Sequence, residues 1–484
     1  MEARDVLRGH SPAQPASRLT WCLAFLSVFA ILIAPAAWNG FPLLQYDTGG
    51  YLARWFEGYL VPSRPAAYGL LLAATAHLAF WPVLALQAAV TAWILKLLLD
   101  ELGLSERPAL LVGIVAVLSF GTALPWLASI LLTDIFAGLA VLALHLVVFG
   151  RTLRSGQRWA LTAFVAFAAA THSATLAVVA LLSSALVVGA VFARSHLPPA
   201  AAWRAAPALV LGVALTLTAN FAVAGHFAFT PGGYGILFGR MLQDGIVSRY
   251  LADHCPDRRL RLCPFRAELP LDADKFLWGD SVFNRLGRFD GLGEEMREIV
   301  LGSLRDYPGR QLEAAVTATV TQLVTVANGE GVNNQLWHTY GIMAHFTPAV
   351  VPAARWARQQ RGAIDFSAMN RVQVPLGLIS AALLPLLILA GWRRPEFAAL
   401  SRLSTSVAVA LLANAFVCGA LANPHDRYGA RLVWLAPLVL ILVPLAASVL
   451  QRGTSVPIPK FASARGTFSC ELRNQMNTSN INTF

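Results

Sequence analysis

Long apolar runs recur along the chain, at 19–38, 82–99, 109–123, 129–149, 159–172, 174–192, 207–224, 372–391, 398–421 and 432–450. Most are near the roughly 17–25 residues that a helix needs to cross the hydrocarbon core of a bilayer. They are separated by short polar or Arg-bearing connections. The pattern predicts an all-α polytopic membrane protein with about ten transmembrane helices, because only helices satisfy their own backbone within a spanning segment of this kind.

Charge sets the expected topology. The connection at 150–158 carries Arg151, Arg154 and Arg158 and reads as a cytoplasmic loop. Counting from it places both termini in the cytoplasm. Residues 66–80 are apolar but short, bounded by Pro65 and Trp81-Pro82, and the count makes them an interfacial helix. Ala34-Pro35-Ala36 could be a signal-peptidase site, but the first run has full span length and reads as an uncleaved anchor.

The expected organisation is a cytoplasmic N-terminus at 1–18, a transmembrane module at 19–224 with its first external loop at 39–81, a mostly helical periplasmic region at 225–371, further transmembrane helices at 372–450, and a Ser/Asn/Thr-rich disordered tail at 451–484. Within the periplasmic region, 311–327 is apolar but short and Thr-rich. It reads as a helix packed on the membrane face, since a crossing there would force a second one through the polar, Pro-broken 336–354.

Composition agrees. The chain is 56% apolar and 13% charged, with mean hydropathy +0.58, too apolar for one soluble core. The formal charge of +11 belongs largely to juxtamembrane Arg, which meets anionic lipid, and no nucleic-acid-binding motif accompanies it. Of five cysteines, Cys22 and Cys418 lie in apolar runs and are expected in the core, and Cys470 is in the tail. Cys255 and Cys263 flank a short polar loop outside the cytosol, where disulfides persist. A disulfide there would contribute about 2–3 kcal/mol. A metal pair is the rival reading, but His254 alone does not complete a ligand set.

The first external loop opens with Gln45-Tyr46-Asp47-Thr48-Gly49-Gly50-Tyr51-Leu52, and Ser63-Arg64-Pro65 follows. Asp47 could be a catalytic carboxylate or a helix N-cap. Asp134, in Leu131-Leu132-Thr133-Asp134, lies near the external end of a span, where a carboxylate is costly. It could serve chemistry or partner an Arg. Two carboxylates at one face suit general-base chemistry or shared binding of a divalent metal. Asn423-Pro424-His425-Asp426-Arg427-Tyr428-Gly429-Ala430-Arg431 reaches the same face. Arg427 and Arg431 are spaced i, i+4 and point the same way on a helix. They suit phosphate binding, with Arg64 as a third ligand and Tyr428 beside them, or they anchor the interface. His172, at a hairpin tip, is either a hydrogen-bonded structural residue or a substrate contact.

These features together resemble the GT-C superfamily of integral-membrane glycosyltransferases. The likeness rests on Asp47 in the first external loop, the interfacial pair 50–60 and 66–80, Asp134 at the external end of the fourth span, and Arg427-Tyr428 at the start of the last span. It covers roughly 19–224 and 422–450. The first-loop acid is Asp-Thr and lacks the Asp-Glu pair of some branches, which leaves metal dependence open. The resemblance implies a bacterial inner-membrane enzyme with a polyprenyl-phosphate sugar donor and an envelope glycan or lipid acceptor. Asp47 and Asp134 would be catalytic, and Arg64, Arg427, Arg431, Tyr428 and His172 would bind substrate. A transporter or flippase for lipid-linked sugars would also explain acids and Arg at one face, although no matched pair of broken helices appears in two halves of the chain. An envelope assembly protein is a third reading.

Thiol labelling of exported protein under non-reducing conditions is expected to leave Cys255 and Cys263 unmodified. Titration of both would invert the topology.

Overall fold

A computed structural model describes residues 17–62, 64–104, 107–192 and 199–454. Ser63, Arg194, Cys470, most of the basic N-terminus and the tail from 455 lie outside the described residues. The described chain is helical throughout, without a strand ladder; Leu43 and Ile130 form an isolated parallel bridge. The first half contains α1 (Arg18–Asn39), α2 (Tyr46–Glu57), α3 (Ala67–Thr75), α4 (Trp81–Glu101), α5 (Pro108–Gly121), α6 (Leu124–Ser129), α7 (Asp134–Phe149), α8 (Ser155–Thr171), α9 (Ser173–Phe192), α10 (Pro199–Ala202) and α11 (Ala206–Ala224). The polar region folds as α12 (Gly233–Gln243), α13 (Ile246–His254), α14 (Ala273–Leu277), α15 (Val282–Arg285), α16 (Arg288–Asp306), α17 (Pro308–Val324), α18 (Trp337–Phe346) and α19 (Val351–Trp356). The chain then continues through α20 (Ser367–Arg393), α21 (Ala398–Ala415), α22 (Asp426–Val433) and α23 (Leu435–Thr454).

Seven helical stretches are long and apolar enough to cross a membrane: Arg18–Asn39, Trp81–Glu101, Ser173–Val191, Trp203–Ala224, Ser367–Arg393, Pro395–Ala420 and Asp426–Ser448. This is a polytopic helical membrane protein. The other three predicted spans are helical but shorter, with 14 residues in α5, 16 in α7 and 17 in α8. The predicted run at 129–149 departs most from expectation. Its first residue, Ser129, ends α6, and helix resumes only at Asp134. Between them the backbone turns to pair with the first loop: Leu43 donates its N–H to Ser129 O at 3.0 Å, and Leu131 donates to Leu43 O at 2.9 Å.

α7 explains the packing. It is apolar all round, as a helix with no solvent or lipid face must be, and every residue from Asp134 to Val148 is buried. α4, α8, α9, α21 and α22 pack around it. Trp434, fully buried at the α22–α23 junction, fits over Gly138, where an added Cβ would meet the indole at 2.8 Å. The outer helices turn aliphatic residues outward instead, as with Leu19, Leu23 and Leu26 on α1 and Val372, Ile379 and Leu386 on α20. Cys418 is buried as expected, whereas Cys22 is exposed on the outer face of α1.

The 66–80 segment is α3 plus a 3-10 turn, Ala76–Leu78. At 1.5 Å per residue the pair covers under ~20 Å, too little to span. Ala79 and Phe80 then take φ of 51° and 63°, and this left-handed turn directs the chain into α4. A second core, built on Phe238, Leu242, Phe276, Phe283, Met296 and Ile299, lies in the polar region, and Cys255 is bonded to Cys263 at its edge. α17 packs against the π-helical segment Phe416–Ala420 that follows α21, and it turns Leu312, Val316, Val320 and Val324 outward.

Gly429 meets the backbone where α22 passes the end of α17: a Cβ there would lie 2.1 Å from Thr325 O. Gly429→Val is expected to lower the thermal midpoint of detergent-solubilised protein, at a cost of about 1–3 kcal/mol from overpacking. Gly113→Ala, with nothing within 4 Å, is expected to leave it unchanged. Equal midpoints for the two variants would contradict this packing.

Candidate functional site

The first turn of α2 is fixed by its neighbours. Gln45 is the N-cap: its side chain accepts from the Asp47 N–H at 2.7 Å, and the Thr48 hydroxyl accepts from the Gln45 N–H at 3.0 Å. The same hydroxyl donates to Leu131 O at 2.9 Å and ties α2 to the turn before α7. The N-cap expectation for Asp47 is therefore corrected. Asp47 is the second helical residue, and its carboxylate is free of capping and directed into the protein. One oxygen is ion-paired with Arg64, and the other accepts from Arg427 Nη1 at 2.9 Å.

Asp134 opens α7, with Thr133 as its N-cap. Its Oδ2 lies 3.4 Å from Arg427 Nε and its Oδ1 lies 3.7 Å from Arg431 Nη1. Both acids thus occupy the first turn of a helix, where free backbone N–H groups favour negative charge. Arg427 bridges them. The i, i+4 spacing of Arg427 and Arg431 on α22 does what the sequence predicted and brings both to one side. Arg431, 0% exposed, is held by Asn414 Oδ1 through Nε at 3.1 Å and Nη2 at 2.6 Å. The Tyr428 ring faces both guanidinium carbons, at 5.0 Å from Arg427 and 5.4 Å from Arg431. His172 is buried too, within the field of Arg431, Arg427, Asp47 and Arg64. Its Nδ1 accepts from the Ala174 N–H at 3.1 Å, so one nitrogen serves the start of α9.

Three guanidiniums, those of Arg64, Arg427 and Arg431, face the two carboxylates of Asp47 and Asp134 in this cluster. Burial opposes ionisation of Asp47, but Arg64 and Arg427 outweigh it and hold the carboxyl well below the usual carboxylate range. Among the described residues, Arg64 Nε, Arg431 Nη1 and Asp134 Oδ1 are buried without a hydrogen-bond partner. The expectation that Asp47 and Asp134 share a divalent metal is not met by this donor set. The Arg427 guanidinium stands between the two acids, and among the described residues no group of three or more His, Cys, Asp or Glu side chains is placed to hold a metal ion.

Sequence reasoning missed the support around Arg427. Glu330 accepts from the Arg427 N–H at 2.8 Å and pairs with His425 Nδ1 at 2.6 Å. The other ring nitrogen of His425 lies 3.2 Å from Asp274 on α14. Burial disfavours the His425 imidazolium, yet hydrogen bonds and charge from Asp274 and Glu330 raise its pKa to about 9. Burial also opposes ionisation of Glu330, and the His425 hydrogen bond and charge overcome it, holding the carboxyl below its usual range. Gln322 clasps the same segment, donating to His425 O and accepting from its N–H, each at 2.9 Å. The signal for Glu330 was its setting, Gly329-Glu330-Gly331. Both glycines take positive φ, 98° and 74°, in a turn that presents the acid inward.

The raised pKa of His425 carries a sign. The protonated ring stabilises the fold fully below its ordinary pKa of 6.5, and that stability is lost as pH rises through about 9. Thermal stability is expected to decline across that window in the wild type and to show no such slope in His425→Gln. A slope that persisted in the variant would place the titrating group elsewhere. Comparison of this chain with family models, with curated proteins and with solved structures finds no match.

Proposed function

We propose that this protein is a membrane glycosyltransferase of the GT-C kind, which moves a sugar from a polyprenyl-phosphate donor to an envelope glycan or lipid. In this reading ten helices cross a bacterial inner membrane, both termini are cytoplasmic, and the site faces the periplasm. The observation that carries it is the bridging of Asp47 and Asp134 by Arg427 in one buried cluster. A carboxylate lies beside guanidiniums suited to phosphate, which is the pairing that sugar transfer from a lipid phosphate requires.

The reaction would run as follows. The acceptor hydroxyl oxygen bonds to the anomeric carbon while the bond from that carbon to the phosphate oxygen breaks. Asp47 takes the hydroxyl proton. The electron pair of the broken bond stays on the phosphate oxygen, where Arg427, Arg431 and Arg64 stabilise the growing charge. Asp134 keeps Arg427 and Arg431 in position. The prenyl chain would lie in the apolar surface between α2, α3 and the spans. Both acids sit in the first turn of a helix and share Arg427, and this supports the reading of chemistry at one membrane surface over a transporter or flippase, which calls for charge at mid-membrane.

Asp47→Asn in the producing bacterium, followed by mass spectrometry of the envelope glycolipids and glycans, is expected to cut the product by about 10²–10⁴-fold, the usual contribution of a general base. Undiminished product in a stably expressed variant would remove Asp47 from the mechanism.

A further inference from the structure

We infer that Asp47 is the resident counter-ion of the phosphate site: it occupies Arg64 and Arg427 until an anionic phosphate takes over their donors and frees the carboxylate. This rests on the glycosyltransferase reading and adds an order to it, with donor binding before acceptor activation.

The geometry points this way because both Asp47 oxygens are engaged, one by Arg64 and one by Arg427 at 2.9 Å. A carboxylate paired at both oxygens with guanidiniums is a poor base toward a hydroxyl, because the two positive charges stabilise its ionised form. The side chains concerned are mostly buried, with Asp47 at 17%, Arg427 at 13% and Arg64 at 21% exposure, so water is a weak competitor. Phosphate oxygens match the same donors, since guanidinium binds carboxylate and phosphate through the same planar fork. Arg64 Nε and Arg431 Nη1 are also buried without a hydrogen-bond partner, so the site keeps donors for an anion.

Asp134 is placed differently. It lies deeper, at 4% exposure, and contacts Arg427 and Arg431 at 3.4 and 3.7 Å, longer than the Asp47 contacts. It therefore keeps Arg427 in place when Asp47 leaves it. The exchange makes and breaks only ion pairs and hydrogen bonds. In the absence of donor the base is masked; with donor bound it is exposed beside the acceptor.

The test is binding of a short-chain polyprenyl monophosphate, without sugar, to the full-length protein in lipid nanodiscs, read by native mass spectrometry. The uncharged polyprenol serves as the reference probe. Asp47→Asn removes the competing charge and is expected to bind the phosphate at least about tenfold tighter than wild type, within the usual range of coupling between two ligands of one site. Polyprenol binding should not change. Asp47→Ser provides a second variant should the first be unstable, and retention of the Cys255–Cys263 disulfide reports its fold. Equal or weaker phosphate binding by folded variants overturns the displacement and leaves the glycosyltransferase reading standing. Failure of wild type and variants alike to bind the phosphate overturns both.

Discussion

The structure depends on one guanidinium. Arg427 lies between Asp47 and Asp134, which belong to helices far apart in sequence, and it donates to the first at 2.9 Å and approaches the second at 3.4 Å. Charges buried this way cost several kcal/mol each unless they are paired and hydrogen-bonded. Much of the surrounding architecture supplies those partners. Asn414 and the Cys418 sulfur hold Arg431. Glu330 takes the Arg427 backbone N–H. Gln45 and Thr48 fix the turn that carries Asp47.

Helix ends do most of this placement. Asp47 and Asp134 each sit in a first helical turn, and Arg427 lies in the first turn of α22. The chain departs from regular helix at 130–133, at the Phe416–Ala420 π segment and at the α22–α23 junction. Irregular backbone of this kind is tolerated in a membrane protein where protein buries it, and π segments recur at functional sites. Here they release backbone and side chains around the same charges.

The polar module reaches the same centre from outside the bundle. Arg240 on α12 donates to Asn423 at 3.1 Å, Asp274 on α14 pairs with His425, and Trp278 lies 5.9 Å from the Arg64 guanidinium. The two segments that bring Arg64 and Arg427 to the site, the first loop and the approach to α22, therefore both contact one module with its own core. This gives the 225–371 region a role beyond filling space between spans.

The sequence by itself determined the helical membrane class, the Cys255–Cys263 pair and the identities of the central charges. Hydropathy, the closeness of the two cysteines and the i, i+4 spacing of Arg427 and Arg431 are local or one-dimensional properties that can be read directly. The helix at 66–80, too short to cross, and the helix at 311–327 followed from length and pattern in the same way. Other features came only with the fold. Gln45, and not Asp47, caps α2, and Thr48 ties the same turn to Leu131, a contact across 83 positions. The metal expectation gave way because Arg427 arrived, 380 positions from Asp47, in the place between the acids. Asp274 and Asn414 looked like ordinary polar residues because nothing near them in sequence marks their partners, and the glycines beside Glu330 mark a turn without marking what it reaches. Tertiary structure decided these points because the cost of a buried charge is set by whatever stands within a few ångströms of it, wherever in the chain that comes from.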